Sequence, residues 1–196
     1  MPAPPPSARS RAAPPWRRAF AAVAAACTLL TPLAAADLSK ETDVKATLLY
    51  HFTQFAEWPP SAFAPADGRL VIGILGPDPF GDVLDKLVEH ETVNGHRIVI
   101  ERFHTPEAAR HAHVLYISST ERSRLPHILS TLGNRPVLTV ADFDGFLARG
   151  GMVAFRRGPD RKIRLRVNLD ATRAASLTLS AKLLRVVEIV NPDQDR

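Results

Sequence analysis

The sequence predicts an α/β domain: a three-layer sandwich with a mostly parallel sheet, an antiparallel hairpin near the C-terminus and a long C-terminal helix. Three observations carry that prediction. Short apolar runs recur at residues 69–75, 113–118 and 136–140, with the near-continuous hydrophobicity of strands buried on both faces. Stretches of helical periodicity separate them. Further on, Gly158-Pro159-Asp160 divides two more strand-like runs, a hairpin signal.

Thr42-Asp43 is the expected start of the first helix. Val44, Leu48, Phe52 and Phe55 then recur at spacings of four, four and three, one apolar helix face. Pro59-Pro60 ends it, because the residue before a proline avoids the helical region. Residues 61–68 are a loop and 69–75 (RLVIGIL) the first strand, broken by Gly76-Pro77. Asp78 is placed as an N-cap with Pro79 at the first helical position, opening a helix over 80–90. Asn94-Gly95 marks a turn before a second strand at 97–103. A third strand at 113–118, a helix at 121–132 ended by Gly133-Asn134, and a fourth strand at 136–140 repeat the pattern. A short helix at 142–149 stops at Gly150-Gly151. Strands at 152–156 and 161–168 form the hairpin, and a long helix spans 170–190.

The chain has 196 residues, 45% of them hydrophobic, enough for one domain with a real core, which excludes disorder. Its single Cys excludes a disulfide scaffold or a Cys-based zinc module. A formal charge of +5 and a pI near 9.9 invite a nucleic-acid reading. The distribution of that charge removes it. Arg9, Arg11, Arg17 and Arg18 precede an apolar run over 19–33, and Ala34-Ala35-Ala36 then offers a small-residue cleavage site. Basic segment, apolar core and small-residue site predict a secretory signal peptide over 1–36, cleaved after Ala36. The apolar core is shorter than the ~20 residues of a membrane span. Loss of its four arginines leaves 21 basic against 20 acidic residues, and Cys27 goes with it. The expected mature chain, 37–196, is a single periplasmic domain, nearly neutral and free of thiols, with no membrane span and no nucleic-acid partner.

Chemistry-bearing motifs are sparse. The segment Gly73-Ile74-Leu75-Gly76-Pro77-Asp78-Pro79-Phe80-Gly81 follows a strand, where phosphates often bind, but its prolines remove donors a phosphate cradle needs. His90-Glu91-Thr92-Val93-Asn94 lacks the second His of a zinc-protease helix. His111 and His113 have no third ligand at a diagnostic spacing, so no metal and no cofactor are expected. Ser118-Ser119-Thr120 reads as capping of the next helix. The most informative surface feature lies in the hairpin. In Lys162-Ile163-Arg164-Leu165-Arg166-Val167, charged and apolar residues alternate, so Lys162, Arg164 and Arg166 share one strand face. They are the candidate partner-binding residues, for an acidic partner or an anionic membrane surface. The plainer reading is an edge strand protected by charge.

The order and spacing of several blocks resemble the YfiR family of small periplasmic proteins. Val44-Lys45-Ala46 leading to Phe52, Phe55 and Trp58-Pro59 resembles its opening, and the Gly73 to Gly81 segment its next block. The 113–118 strand, Leu138-Thr139-Val140, Gly150-Gly151-Met152-Val153, Val167-Asn168-Leu169 and Leu177 to Leu184 follow in order. The resemblance implies a non-enzymatic regulator, a homodimer, that binds the periplasmic part of an inner-membrane diguanylate cyclase and holds it inactive. Cyclic di-GMP and biofilm formation fall as a result. Family members often carry Cys where this chain has Ala112, so the disulfides or thiol switch of the family are not expected here. Two alternatives remain. One is a small-ligand sensor, binding outside the carboxyl ends of the strands near Gly76, Ser118 and Asp142. The other is a hydrolase built on the Ser118-Ser119 hydroxyls and the His111/His113 pair.

Overall fold

A computed structural model describes residues 32–63 and 68–191. The chain divides into two units, Met1–Ser39 and Lys40–Arg196, and the second holds every strand of the fold. The expected leader lies outside the described residues except for its last five, which belong to the first helix, α1 (Pro32–Phe55). That helix is longer at its N-terminus than its sequence signal at Thr42-Asp43, and it runs straight through the expected cleavage point at Ala36.

The face that α1 buries also differs from the expected one. Ala46, Leu49 and Phe52 are fully buried, while Val44 is 46% exposed and Leu48 and Phe55 are half-buried. The buried line therefore runs through 46, 49 and 52, and Val44 faces away from it.

The strands are β1 (Ala56–Glu57), β2 (Leu70–Leu75), β3 (Thr92–Val93), β4 (His96–Phe103), β5 (Val114–Ile117), β6 (Leu138–Ala141), β7 (Val153–Arg157), β8 (Ile163–Val167), β9 (Thr178–Leu179) and β10 (Glu188–Ile189). The remaining helices are α2 (Asp82–Val88), α3 (Leu125–Leu132), α4 (Leu169–Ala174) and α5 (Ala181–Leu184). One mixed sheet runs β10-β8-β7-β6-β5-β2-β4-β3. Its centre, from β4 through β2, β5 and β6 to β7, is parallel. The hairpin β7–β8 is antiparallel, as its turn signal requires, and β10 lies parallel to β8. Asn94 and Gly95 both take positive φ between β3 and β4, the backbone of a tight hairpin turn.

Alternate residues of the central strands feed two cores. Leu70, Ile72 and Ile74 of β2 pack with α1, α2 and Tyr116, whereas Val71 and Leu75 pack with Leu125, Ile128 and Leu132 of α3. The expected three-layer sandwich is only partly realised. The second face carries one eight-residue α-helix and 3₁₀ turns, and the charged side chains of β7 and β8 emerge beyond that cover.

Four further expectations are corrected. The long helix over 170–190 does not form. Ser176 takes a positive φ after α4, and Leu177 and Leu179, two apart, follow a strand period. Thr178 and Leu179 pair with β1, Ser180 caps the short α5, and Val186-Val187-Glu188-Ile189, three of the four β-branched, ends as β10. The helix over 121–132 is α-helical only from Leu125, because Pro126 has no N–H to bond the carbonyl of Arg122. The guanidinium of Arg149 donates to that carbonyl instead, at 3.3 Å. The helix over 142–149 shrinks to a 3₁₀ turn, Leu147–Arg149, closed by Gly150 at φ 97°. Asp78 accepts from the N–H groups of Phe80 and Gly81, but α2 begins only at Asp82, so Asp78 caps the turn before the helix.

Candidate functional site

The hairpin strand β8 keeps the alternation its sequence shows. Leu165 and Val167 are buried against the α1 side, and Arg164 and Arg166 project from the opposite face. The three basic candidates then part company. Lys162, just before the strand, is exposed and has no ion pair among the described residues. Arg164 is exposed and pairs with Asp160 at 3.3 Å, inside the same hairpin. Arg166 has a side chain only 12% exposed and reaches Glu188 of β10 at 3.5 Å, so it fastens the last strand. Arg156 of β7, beside Arg164 in register, pairs with Asp144. The surface is therefore a stripe of partly neutralised guanidinium groups with Lys162 unneutralised at one end.

The ligand candidates Gly76, Ser118 and Asp142 lie at the carboxyl ends of β2, β5 and β6. Chain order makes β2–β5 the switch point of the sheet, since β2 continues to β4 on one side and the chain returns to β5 on the other. Gly76 and Ser118 do meet there. A Cβ on Gly76 would stand 3.1 Å from Ser118 Cβ and 3.0 Å from Glu121 Cγ. The crevice between them is thus filled by the Glu121 side chain, whose carboxylate pairs with Arg124 at 3.0 Å. Ser118 makes no side-chain cap, contrary to expectation. Its hydroxyl accepts from Thr120 at 3.4 Å, while its backbone carbonyl takes the Glu121 N–H.

Asp142 belongs to a different set of contacts, which sequence reading missed. Lys45 of α1 bridges Asp142 at 2.9 Å and Glu41, one helical turn earlier, at 2.8 Å. Burial pulls the Lys45 pKa down, and the hydrogen bonds to Glu41 and Asp142 more than reverse this, leaving it raised. Burial, then the charge of Asp142 and a hydrogen bond to it, raise the pKa of the Tyr116 phenol. Arg157 closes the set against Glu41 at 3.5 Å. The Glu41/Lys45 spacing was visible in the sequence as an i,i+4 helix pair. Asp142, 97 residues from Lys45, was not.

This set locks α1 to the C-terminal end of the sheet. Replacing Lys45 with Met should cost about 2 kcal/mol at pH 7, below the value for a fully buried pair because the group is half-screened by solvent. Since the lysine pKa is raised, its contribution is fully present at neutral pH and is lost only as pH climbs beyond the ordinary value of 10.5. Urea titrations of variant and wild type at pH 7 and well above pH 10.5 check the assignment, because the deficit of the variant should shrink once the wild-type lysine loses its proton.

The imidazole pair does not converge. His111 sits in a 3₁₀ turn on the surface, 2.8 Å from Glu101. His113 is 4% exposed, and its Nδ1 accepts the backbone N–H of Val71 at 3.1 Å. Phe63 stacks on its ring and Trp58 meets it edge-on. Burial, with smaller contributions from His96 and His111, lowers the His113 pKa to about 4 against the pull of the Ala62 carbonyl. Among the described residues, no group of three or more His, Cys, Asp or Glu is arranged to hold a metal ion, and no helix is long and apolar enough to cross a membrane.

No curated protein matches the chain. A family model does: the one described as YfiR/HmsC-like covers residues 42–188, from the Glu41/Lys45 turn of α1 to the start of β10. The matched span takes in β2 through β8 of the mixed sheet and the first residue of β10, and the chain belongs to the YfiR/HmsC-like family.

Proposed function

We propose that this chain is exported, loses residues 1–36, and acts in the periplasm as a non-catalytic regulator. It binds the periplasmic part of an inner-membrane diguanylate cyclase and restrains it, lowering cyclic di-GMP and biofilm formation. Family membership supports this reading, because YfiR-like proteins are regulators of that kind. The observation that carries it to a surface is β8. Here Lys162, just before the strand, and Arg164, on it, are both exposed and can meet an acidic partner without unfolding the sheet.

The three basic residues differ in role, and that difference sets the test. Arg166 is left intact, because it holds β10 through Glu188. The double variant Lys162→Glu/Arg164→Glu should remain folded, with an unchanged circular dichroism spectrum. It should weaken partner binding about tenfold and raise cellular cyclic di-GMP toward the level of a strain lacking the protein. A folded double variant that still keeps cyclic di-GMP low would remove this surface from the interface.

A further inference from the structure

Strand β8 is paired along its whole length on one side only. On the β7 side it matches Ile163 through Val167 with Arg157 through Val153. On the other side β10 matches only Arg166 and Val167. Backbone polar groups alternate sides along a strand. The carbonyl of Val167 accepts from Val190, on the β10 side, and the carbonyl of Lys162 accepts from Gly158, on the β7 side. Odd-numbered residues of β8 therefore turn their backbone groups outward. Beyond the reach of β10, the N–H and C=O of Ile163 and the N–H of Leu165 meet no strand among the described residues.

A groove of about 620 Å³ lies along this open edge, between β8 and the chain that leads from α5 into β10. Its floor includes Ile163, Leu165 and Leu48, and its far wall Val186, which is 73% exposed. Lys162 and Arg185 flank it, neither in an ion pair among the described residues. The groove's two carboxylates, Asp160 and Glu188, are held by Arg164 and Arg166. The uncompensated charge at the groove is positive.

We infer that the open edge of β8 is a docking site for an extended acidic segment of the partner protein, which adds to the sheet end-to-end with β10 and turns alternate carboxylates toward Lys162 and Arg185. This deepens the proposed regulatory interface and rests on it for the partner's identity. Free strand edges capture extended chains through main-chain hydrogen bonds, and alternate side chains set the specificity. A second copy of this chain is the wrong occupant. Edge-to-edge pairing of two β8 strands would bring Lys162 and Arg164 against like charges, the device by which edges avoid self-association.

The test uses the purified protein and three blocked hexapeptides: alternating Val-Glu, alternating Val-Lys, and the Val-Glu peptide N-methylated at every second amide. The acidic peptide should bind at least ten times more tightly than the basic one and shift the amide resonances of Ile163, Leu165 and Val186. N-methylation should abolish binding. Ile163→Pro removes one outward N–H at the first position of the strand, where proline is tolerated, and should weaken the acidic peptide about tenfold. Lys162→Glu, which leaves the backbone untouched, should narrow or reverse the preference for the acidic peptide. Equal binding of methylated and unmethylated peptides, resonance shifts elsewhere, or no binding would each overturn the inference. So would a change in oligomeric state on Ile163→Pro, which would make a second copy the occupant. In cells, if Ile163→Pro keeps cyclic di-GMP low while Lys162→Glu/Arg164→Glu releases it, edge pairing falls and the regulatory reading stands. If deleting the whole protein leaves cyclic di-GMP unchanged, the regulatory reading falls, and peptide binding judges the edge by itself.

Discussion

Gly73→Ala should destabilise the domain by about 2–3 kcal/mol, although the position lies in a strand where alanine is ordinarily acceptable. The Cβ would stand 2.6 Å from Phe103 Cε2, 2.9 Å from Leu115 Cδ1 and 3.1 Å from Ala112 Cβ. All three neighbours are buried, and the Phe103 ring is itself held edge-on by His111. The loss of glycine's unfolded-state freedom works in the opposite direction, by about 0.4–1 kcal/mol, and does not match an overpacked core. Phe103→Leu should make room. The double variant is expected to be at least 1 kcal/mol more stable than the two single losses predict by addition. Urea denaturation of the four proteins completes the cycle, and strict additivity would show that the ring is not what excludes the methyl. Gly73 is thus a packing glycine inside β2, and the run from Gly73 to Gly81, which follows a strand where phosphates often bind, owes its first glycine to an aromatic ring.

The second large effect is a loss of stability in mild acid that traces to His113. Its pKa lies near 4 in the folded protein, against 6.5 for an unperturbed imidazole. Between those values the unfolded chain takes up a proton that the folded chain refuses. Stability therefore falls as pH drops through 6.5 and goes on falling until about pH 4, by about 3 kcal/mol in all. Geometry agrees with the sign, since a proton on Nδ1 would displace the Val71 N–H that it accepts. His113→Gln can offer a side-chain oxygen to Val71 but cannot titrate. It should cost about 1 kcal/mol at pH 7.5 and be flatter than the wild type between pH 6.5 and 4. An identical pH profile in the two proteins would place the acid sensitivity elsewhere.

Much of the fold was legible because its signals are local. The apolar runs that became β2, β5 and β6 must be strands buried on both faces. Asn94-Gly95 can hardly be anything but a turn, and Gly158-Pro159-Asp160 returns the chain as a hairpin. The 170–190 segment misled because its apolar residues satisfy a helical period nearly as well as they satisfy two short strands. What decides it is pairing with β1 and β8, and no window of sequence contains both partners. The first helix shows in the sequence, but the side it buries, through Ala46, Leu49 and Phe52, is settled only by packing with distant strands. Lys162, Arg164 and Arg166 were visible as a row. The ion pair that removes Arg166 from that row comes from Glu188, on a strand the sequence hid inside a helix. Glu121, which occupies the crevice beside Gly76, carries no sequence signal beyond that of a first helical residue.

The indole of Trp58 donates to the carbonyl of His113 at 3.2 Å, and its ring lies 6.0 Å from the imidazole. The sequence holds two tryptophans, Trp16 and Trp58, and the proposed cleavage discards the first. A chain so cleaved would carry Trp58 as its single tryptophan, built against a histidine whose pKa burial lowers. An imidazolium quenches indole emission. The light the protein emits becomes an optical gauge of one protonation event, readable in a cuvette without label or engineered probe.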